Sequence, residues 1–152
     1  MEGRAKRIAL VVEGVADLAQ VILDSLTRDE PAACEVIVKH DGQEALDYLL
    51  CRGAYAGRDA KVMPCFTLVD LVLPVSDGLE LLREMRAHER TRRIPVVAFS
   101  SAKEPDHQRA DEAYALGVNS YISARPGFES FEESIHRVAR YWCVVNEPPP
   151  PL

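Results

Sequence analysis

The sequence has no long apolar run and no excess of positive charge. No stretch approaches the roughly 18 apolar residues that a membrane-spanning helix needs, so we expect no membrane segment. Residues 1–7 are polar and basic and lack the apolar core of a secretory signal, which predicts a cytoplasmic protein. The 18 Lys and Arg residues are outnumbered by 24 Asp and Glu residues, giving a net charge of −6. Because nucleic-acid binding requires a basic patch, this balance argues against a nucleic-acid partner.

Cysteine and histidine are also scarce, and their spacing does not suit a metal site. The four cysteines are far apart in the sequence and include no CxxC pair. This distribution predicts buried, reduced thiols of an intracellular protein rather than disulfides. The four histidines show no metal-ligand spacing either, and we expect them at the surface. The cysteines are Cys34, Cys51, Cys65 and Cys143.

The chain does contain a regular alternation of apolar, β-rich runs with amphipathic stretches. The predicted strands are 8–12, 34–39, 65–70, 94–99 and 118–123. The predicted helices are 16–28, 43–52, a third that opens at Asp77-Gly78, then 105–116 and 131–145, with a surface loop over 53–64. Strands that alternate with helices predict an α/β fold, a parallel sheet covered on both faces. We choose the flavodoxin-like (βα)5 doubly wound sheet with strand order 2-1-3-4-5.

The composition shows no break that would indicate a second domain. We therefore expect one domain over residues 1–152. Its core covers about 7–145, and a Pro-rich tail follows over 146–152.

The strongest functional signal is Asp70, which closes the apolar third strand. Aspartate is unfavourable in strands and costly to bury, so this position calls for an explanation. The carboxyl ends of parallel strands face the ligand crevice of such sheets. Glu13 follows the first strand, and the chosen order brings strands one and three side by side. The alternative is that Asp70 only caps the following loop.

Two carboxylates brought together repel each other unless a cation lies between them. Mg²⁺ suits such a site because it prefers oxygen ligands and works beside phosphoryl groups. The ligands would be the carboxylates of Glu13 and Asp70 and the backbone carbonyl of Val72. Ser100, at the end of the fourth strand, would bond an oxygen of a group attached to Asp70. This arrangement describes a carboxylate that accepts a phosphoryl group.

With these residues, the chain resembles the receiver domain of two-component response regulators over about 7–145. The resemblance rests on residues 8–17, Asp70-Leu71-Val72-Leu73-Pro74 with Asp77-Gly78, residues 94–97 with Ser100-Ser101, and residues 117–121. The long loop before Cys65 and the ending from Tyr141-Trp142 resemble stand-alone receivers that are paired with phytochrome-type sensor kinases.

The resemblance implies a role for individual positions. Asp70 matches the phosphoacceptor and Glu13 the acid that binds Mg²⁺ directly. Ser100 matches the hydroxyl residue that contacts the phosphoryl group, and Tyr121 the aromatic switch residue. It also implies a cytoplasmic signalling phosphoprotein that is not an enzyme. Its phosphodonor would be a sensor histidine kinase of the phytochrome-type or hybrid class, and its output would be a protein contact.

Two positions depart from the family pattern and leave a degenerate acidic pocket. Val12 stands where receivers have the first of two acids, and Ala124 where they have a lysine. Arg125 replaces that lysine if one residue is inserted, because arginine also binds phosphoryl oxygens. Lys103 is a poorer substitute. Losing one acid and one base together leaves the charge of the pocket unchanged, so phosphorylation is not excluded.

These departures keep two other hypotheses open. A pseudo-receiver would bind partners without phosphorylation, as Val12 and Ala124 suggest. A phosphatase that uses Asp70 as nucleophile would need a second acid two residues later, where Val72 stands. A homodimer is also open, because the late apolar residues exceed what one helix face buries, although packing on the sheet explains them equally well. Those residues are Tyr141, Trp142, Val144 and Val145.

Overall fold

The computed structural model describes residues 7–75, 77–101, 107–123 and 130–150. In these ranges the chain forms a sheet of five parallel strands in the order β2-β1-β3-β4-β5. The predicted flavodoxin-like strand order is therefore confirmed. The strands are β1 (Arg7–Val12), β2 (Cys34–Lys39), β3 (Phe66–Asp70), β4 (Val96–Phe99) and β5 (Ser120–Ile122). The helices are α1 (Ala16–Leu26), α2 (Gly42–Leu49), a 3₁₀ turn (Gly53–Tyr55), α3 (Gly78–Ala87), α4 (His107–Ala115), α5 (Phe131–Arg140) and a π-helical turn (Tyr141–Val145).

The helices cover both faces of the sheet. Successive strand residues point to opposite sides, so each strand contributes to two cores. On one side, Leu10 and Val69 belong to a buried cluster with residues of α2, α3 and α4. On the other side, Val11 and Leu68 pack with residues of α1 and α5. Strands buried on both faces are nearly continuous apolar runs, which explains why the sequence located them well.

The strand boundaries agree with the predicted runs to within two residues, but several helical predictions need correction. α1 ends at Leu26, two residues early, and α2 ends at Leu49, three residues early. Cys51, just after α2, has φ 54°, a left-handed conformation that does not continue a helix. The predicted loop 53–64 begins with a 3₁₀ turn, and the predicted last helix changes to a π-helical turn at Tyr141–Val145.

The start of α3 lies against the end of β3. The Asp77 carboxylate caps α3 by accepting a hydrogen bond of 3.0 Å from the backbone N–H of Glu80. This agrees with a helix that opens at Asp77-Gly78. A Cβ at Gly78 would lie 2.5 Å from the carbonyl oxygen of Asp70 and 2.7 Å from the Cα of Leu71. The absence of a side chain at position 78 thus allows the helix to approach the strand end that carries Asp70.

Several other predictions concern smaller features. All four cysteines are thiols rather than disulfides, as predicted, although Cys51 is only partly buried. The predicted start of the fourth helix at Pro105 lies outside the described residues, and α4 is seen from His107. None of the helices in the described ranges has the length and apolar character required to cross a membrane.

Candidate functional site

Two carboxylates meet at the carboxyl edge of the sheet, one directly after β1 and one at the end of β3. The parallel register pairs Val12 with Val69, so the next residues, Glu13 and Asp70, lie side by side. By strand alternation both carboxylates project to the face covered by α1 and α5. Both residues have 0% of their surface exposed. The topology therefore produces the neighbouring acidic pair that the predicted strand order required.

One oxygen of each carboxylate is fixed by the backbone. Asp70 Oδ1 accepts hydrogen bonds from the backbone N–H groups of Val72, at 2.9 Å, and Ser101, at 3.1 Å. Glu13 Oε1 accepts one from the backbone N–H of Val15, at 3.0 Å. The second oxygens, Glu13 Oε2 and Asp70 Oδ2, are buried and have no hydrogen-bond partner among the described residues. Buried polar atoms are rarely left unpaired, which makes these two oxygens a candidate ligand site.

The two acids change each other's protonation. Burial and the neighbouring Asp70 carboxyl raise the pKa of Glu13 from 4.5 to about 8, although the Val15 N–H opposes the rise. At neutral pH the pair therefore retains a proton. A divalent cation would take the place of this proton, because it neutralises both carboxylates at once.

The donor set suits a hard, oxygen-preferring cation that keeps part of its hydration shell. Within the described part of the chain, no group of three or more His, Cys, Asp or Glu side chains is placed to hold a metal. Among the described residues, the side chains that could serve as ligands at this edge are therefore the two carboxylates. The backbone at Val72 lies at the same site, since its N–H bonds Asp70. A divalent cation bound here would therefore have oxygen ligands.

The remaining predicted site residues are distributed around this pair. Ser100 follows β4, whose last residue, Phe99, pairs with Asp70 in the sheet register. This places Ser100 at the same edge, next to the Ser101 N–H that bonds Asp70. Tyr121, in β5, is partly buried against the core on the α2–α4 side. Arg125, Ala124 and Lys103 lie outside the described residues.

Val12 shows how the acidic pocket loses one member. Its side chain is fully buried in the apolar cluster on the α2–α4 face, together with Leu10 and Val69. Glu13, the next residue, belongs to the opposite face by strand alternation. Valine at position 12 therefore adds to the core, and the pocket keeps a single acid from β1.

A contact beside the site that the sequence did not predict comes from α4. The Arg109 guanidinium donates a hydrogen bond of 2.6 Å to the carbonyl oxygen of Leu71, the residue after Asp70. The same Nη2 atom lies 3.5 Å from the carboxylate of Asp77, the cap of α3. Arg109 thus ties α4 to the loop that follows Asp70. Nothing in the sequence distinguishes this arginine from other charged residues of an exposed helix.

Comparison with known proteins gives a consistent result. No protein-family model matches the chain. The probable methanogenesis regulatory protein FilR2 of Methanothrix harundinacea is 37% identical over 111 residues, which cover 73% of this chain and 68% of FilR2. Response regulator Rcp1 of Synechocystis sp. is 31% identical over 139 residues, which cover 90% of this chain and 88% of Rcp1.

Solved structures extend the similarity to three dimensions. The phosphorylated cyanobacterial phytochrome response regulator RcpA superposes with a TM-score of 0.83 at 28% identity, over 95% of this chain and 99% of RcpA. The Mn²⁺-bound form of Rcp1 superposes with a TM-score of 0.81 at 24% identity, over 94% of this chain and 99% of that structure. The similarity in sequence and in fold thus extends over nearly the whole chain.

Proposed function

The chain belongs to the response regulator receivers of two-component signalling, and from this premise we propose that Asp70 is its phosphoacceptor. The observation that carries the proposal is the buried Glu13–Asp70 pair, with one unpartnered oxygen on each carboxylate. Such a pair is unfavourable for stability alone, because burial penalises both charges. A site that binds a cation and a phosphoryl group explains why the chain keeps it.

We propose different tasks for the two oxygens of Asp70, which differ in their hydrogen bonds. Two backbone N–H groups hold Oδ1, which leaves Oδ2 as the nucleophile. Oδ2 attacks the phosphorus of a phosphohistidine on the kinase, a P–O bond forms, and the P–N bond breaks as the imidazole leaves. Ser100 then donates its hydroxyl hydrogen to an oxygen of the transferred group. If Ser100 moves, the change would be passed to Tyr121 in the neighbouring strand β5. This would alter the surface of the protein that partners contact.

We assign the cation as Mg²⁺, held by Glu13, Asp70 and the carbonyl oxygen of Val72. Its support is the chemistry of the donors, which are all oxygens, and the Mn²⁺-bound form of the relative Rcp1. When bound there, the cation offsets the negative charge that develops on the phosphoryl oxygens during transfer. Glu13 must lose its proton to bind it, so we expect Mg²⁺ affinity to increase with pH up to about 8.

Incubation with acetyl phosphate and MgCl₂ tests the proposal without the kinase. Intact-mass spectrometry should show the addition of one phosphoryl group, which is lost on mild base treatment and is absent in Asp70→Asn. Asp41→Asn is the matched control, because Asp41 caps α2 through a carboxylate oxygen that an asparagine replaces well. An addition that persists in Asp70→Asn would contradict the assignment of the residue.

The same experiment separates the receiver from the pseudo-receiver. Val12 is the observation that favours the second function, because it replaces one acid of the pocket. A pseudo-receiver would gain no phosphoryl group from acetyl phosphate at any Mg²⁺ concentration. The relatives are response regulators, and they favour the first function.

For the partners, we propose a sensor histidine kinase of the phytochrome type as phosphodonor. The support is the similarity to Rcp1 and to RcpA, which is a phytochrome response regulator. Signalling would proceed through contacts with other proteins rather than through an enzymatic reaction. Location in the cytoplasm stays a prediction from the sequence.

We also propose that a second copy of this chain binds the C-terminal apolar surface, defined as Tyr141, Val144 and Val145. All three side chains are exposed, and Val145 is 70% exposed. Trp142, which the sequence grouped with them, packs instead against the core on the α1–α5 side. A groove of about 480 Å³ adjoins the surface and is lined by Glu133, His136, Arg137, Arg140, Tyr141 and Val145. A groove with charges of both signs suits a self-complementary contact.

A further inference from the structure

Three thiols that are distant in the sequence converge at the amino edge of the sheet. Cys34 opens β2, Cys65 directly precedes β3, and Cys143 lies in the π-helical turn. All three are buried in the apolar cluster on the α1–α5 side. The sequence predicted buried thiols but gave no reason to group them. They lie at the end of the sheet opposite Asp70, so they are separate from the proposed phosphoryl site.

The contact between two of these thiols is close. The sulfur atoms of Cys65 and Cys143 lie 3.5 Å apart, and 3% and 4% of the two residues are exposed. A disulfide bond is about 2.05 Å long, so a small movement would join them. Cys143 also forms a hydrogen bond with the thiol of Cys34. A second partner is thus available to Cys143 at the same place.

The turn that carries Cys143 is attached to the sheet by Arg7. The Arg7 guanidinium donates hydrogen bonds to the carbonyl oxygens of Cys143, at 2.9 Å, and Asn146, at 2.8 Å. These bonds keep the Cys143 thiol against Cys65. They are also contacts that a local opening of the turn would break, and such an opening would admit a small molecule to the thiols.

We propose that Cys65 and Cys143 form an oxidation site, in which hydrogen peroxide converts the two thiols into a disulfide that fixes the C-terminal turn to β3. The Cys65 sulfur attacks one peroxide oxygen, the O–O bond breaks, and the other oxygen leaves with the thiol proton as water. The Cys143 sulfur then attacks the sulfur of the Cys65 sulfenic acid. The S–O bond breaks, and the hydroxyl leaves with the Cys143 proton as a second water molecule.

The environment of the thiols supports this order of attack. The hydrogen bond with Cys143 lowers the pKa of Cys65, which favours its thiolate. Hydrogen bonds with Cys34 and Cys65, together with burial, raise the pKa of Cys143. Cys65 is therefore the first nucleophile, and Cys143 resolves the sulfenic acid.

Oxidation of the full chain by hydrogen peroxide tests the proposal. After denaturation and alkylation, the intact mass should show two unalkylated cysteines, and peptide mapping should join Cys65 to Cys143. The link should disappear in Cys143→Ala and persist in Cys51→Ala, the control cysteine outside the cluster. In Cys34→Ala the link should form at least as fully, because Cys34 no longer competes for Cys143.

A consequence for the turn provides a second measurement. In the oxidised protein, hydrogen exchange should slow for the Asn146 amide, which bonds the Tyr141 carbonyl across the π-helical turn. Arg7→Gln should oxidise faster than the wild type, since the turn opens more often. The proposal is overturned if peroxide modifies Cys51 while Cys65 and Cys143 stay reduced, or if the disulfides formed join two chains. If hydrogen exchange of the Asn146 amide does not slow once the disulfide has formed, the proposal that the disulfide fixes the turn is overturned.

Discussion

A buried carboxylate is costly unless a proton or a cation neutralises it, and here two lie side by side. Glu13 and Asp70 each have one oxygen bonded by backbone N–H groups and one oxygen without a partner in the described structure. The backbone hydrogen bonds orient the two carboxylates. Because the other two oxygens have no partner, the stability of the pair depends on the proton or cation that neutralises it. At the scale of single residues, the site is therefore a local source of instability that a bound ion would relieve.

This instability predicts an unusual dependence of stability on pH. Glu13 has a pKa of about 8 in the folded protein, against 4.5 as its ordinary value, so between these values the folded state binds the extra proton. The free energy of unfolding in EDTA should therefore fall as the pH rises from about 5 to 8, by at most about 1.4 kcal/mol per pH unit. Glu13→Gln should remove this slope in urea titrations.

Two comparisons make the pH test decisive. Glu35→Gln, a change at an exposed acid of the same sheet, should leave the slope as it is in the wild type. Addition of Mg²⁺ should reduce the slope in the wild type, because the cation replaces the proton. A stability that rises steadily from pH 5 to 8 in EDTA would contradict the proposed pairing.

At the scale of elements, the site depends on how closely α3 follows β3. Gly78 allows the helix to begin against the strand end, and Asp77 caps it one residue earlier. Arg109 then connects α4 to the same segment through the Leu71 carbonyl. Phosphorylation of Asp70 would thus be coupled to two helices through the short loop that follows it.

Gly78→Ala should show how strict this approach is. A Cβ at position 78 would lie 2.5 Å from the Asp70 carbonyl oxygen, so backbone must shift to accommodate it. We expect a loss of about 1–3 kcal/mol in the free energy of unfolding, measured in urea. Phosphoryl transfer from acetyl phosphate should slow as well, because the shift moves Asp70.

Gly57→Ala is the matched control for this substitution. Apart from its chain neighbours, the described residues place no atom within 4 Å of a Cβ at position 57, so we expect a change below about 0.5 kcal/mol. Equal stability losses for the two variants would show that α3 has room to move away from β3.

At the scale of the whole molecule, the sheet was predictable because its strands are apolar runs separated by helices. The sequence also predicted that Glu13 and Asp70 lie together, since strand order alone decides which carboxyl ends are neighbours. Their role as a phosphoryl site stays a prediction. The Arg109 contact and the thiol cluster were not predictable, because both join elements whose separation depends on tertiary packing.

The C-terminal apolar surface gives a prediction at the same scale. If a second copy covers it, the wild type should be a dimer by light scattering at micromolar concentration, and Val145→Asp should be a monomer. The exposed Val62, in the loop before β3, supplies the control substitution Val62→Asp, which should leave the dimer intact. A wild type that is monomeric over the whole concentration range would contradict the prediction.

The most direct measurement of the central claim is a crystal structure of the protein with Mg²⁺ and a beryllium fluoride mimic of the phosphoryl group. We predict the mimic on Asp70 Oδ2, the cation bound by Glu13 Oε2, the other oxygen of Asp70 and the Val72 carbonyl oxygen, and the Ser100 hydroxyl bonded to a fluoride. A cation bound away from Glu13, or a mimic that leaves Asp70 unmodified, would contradict the account.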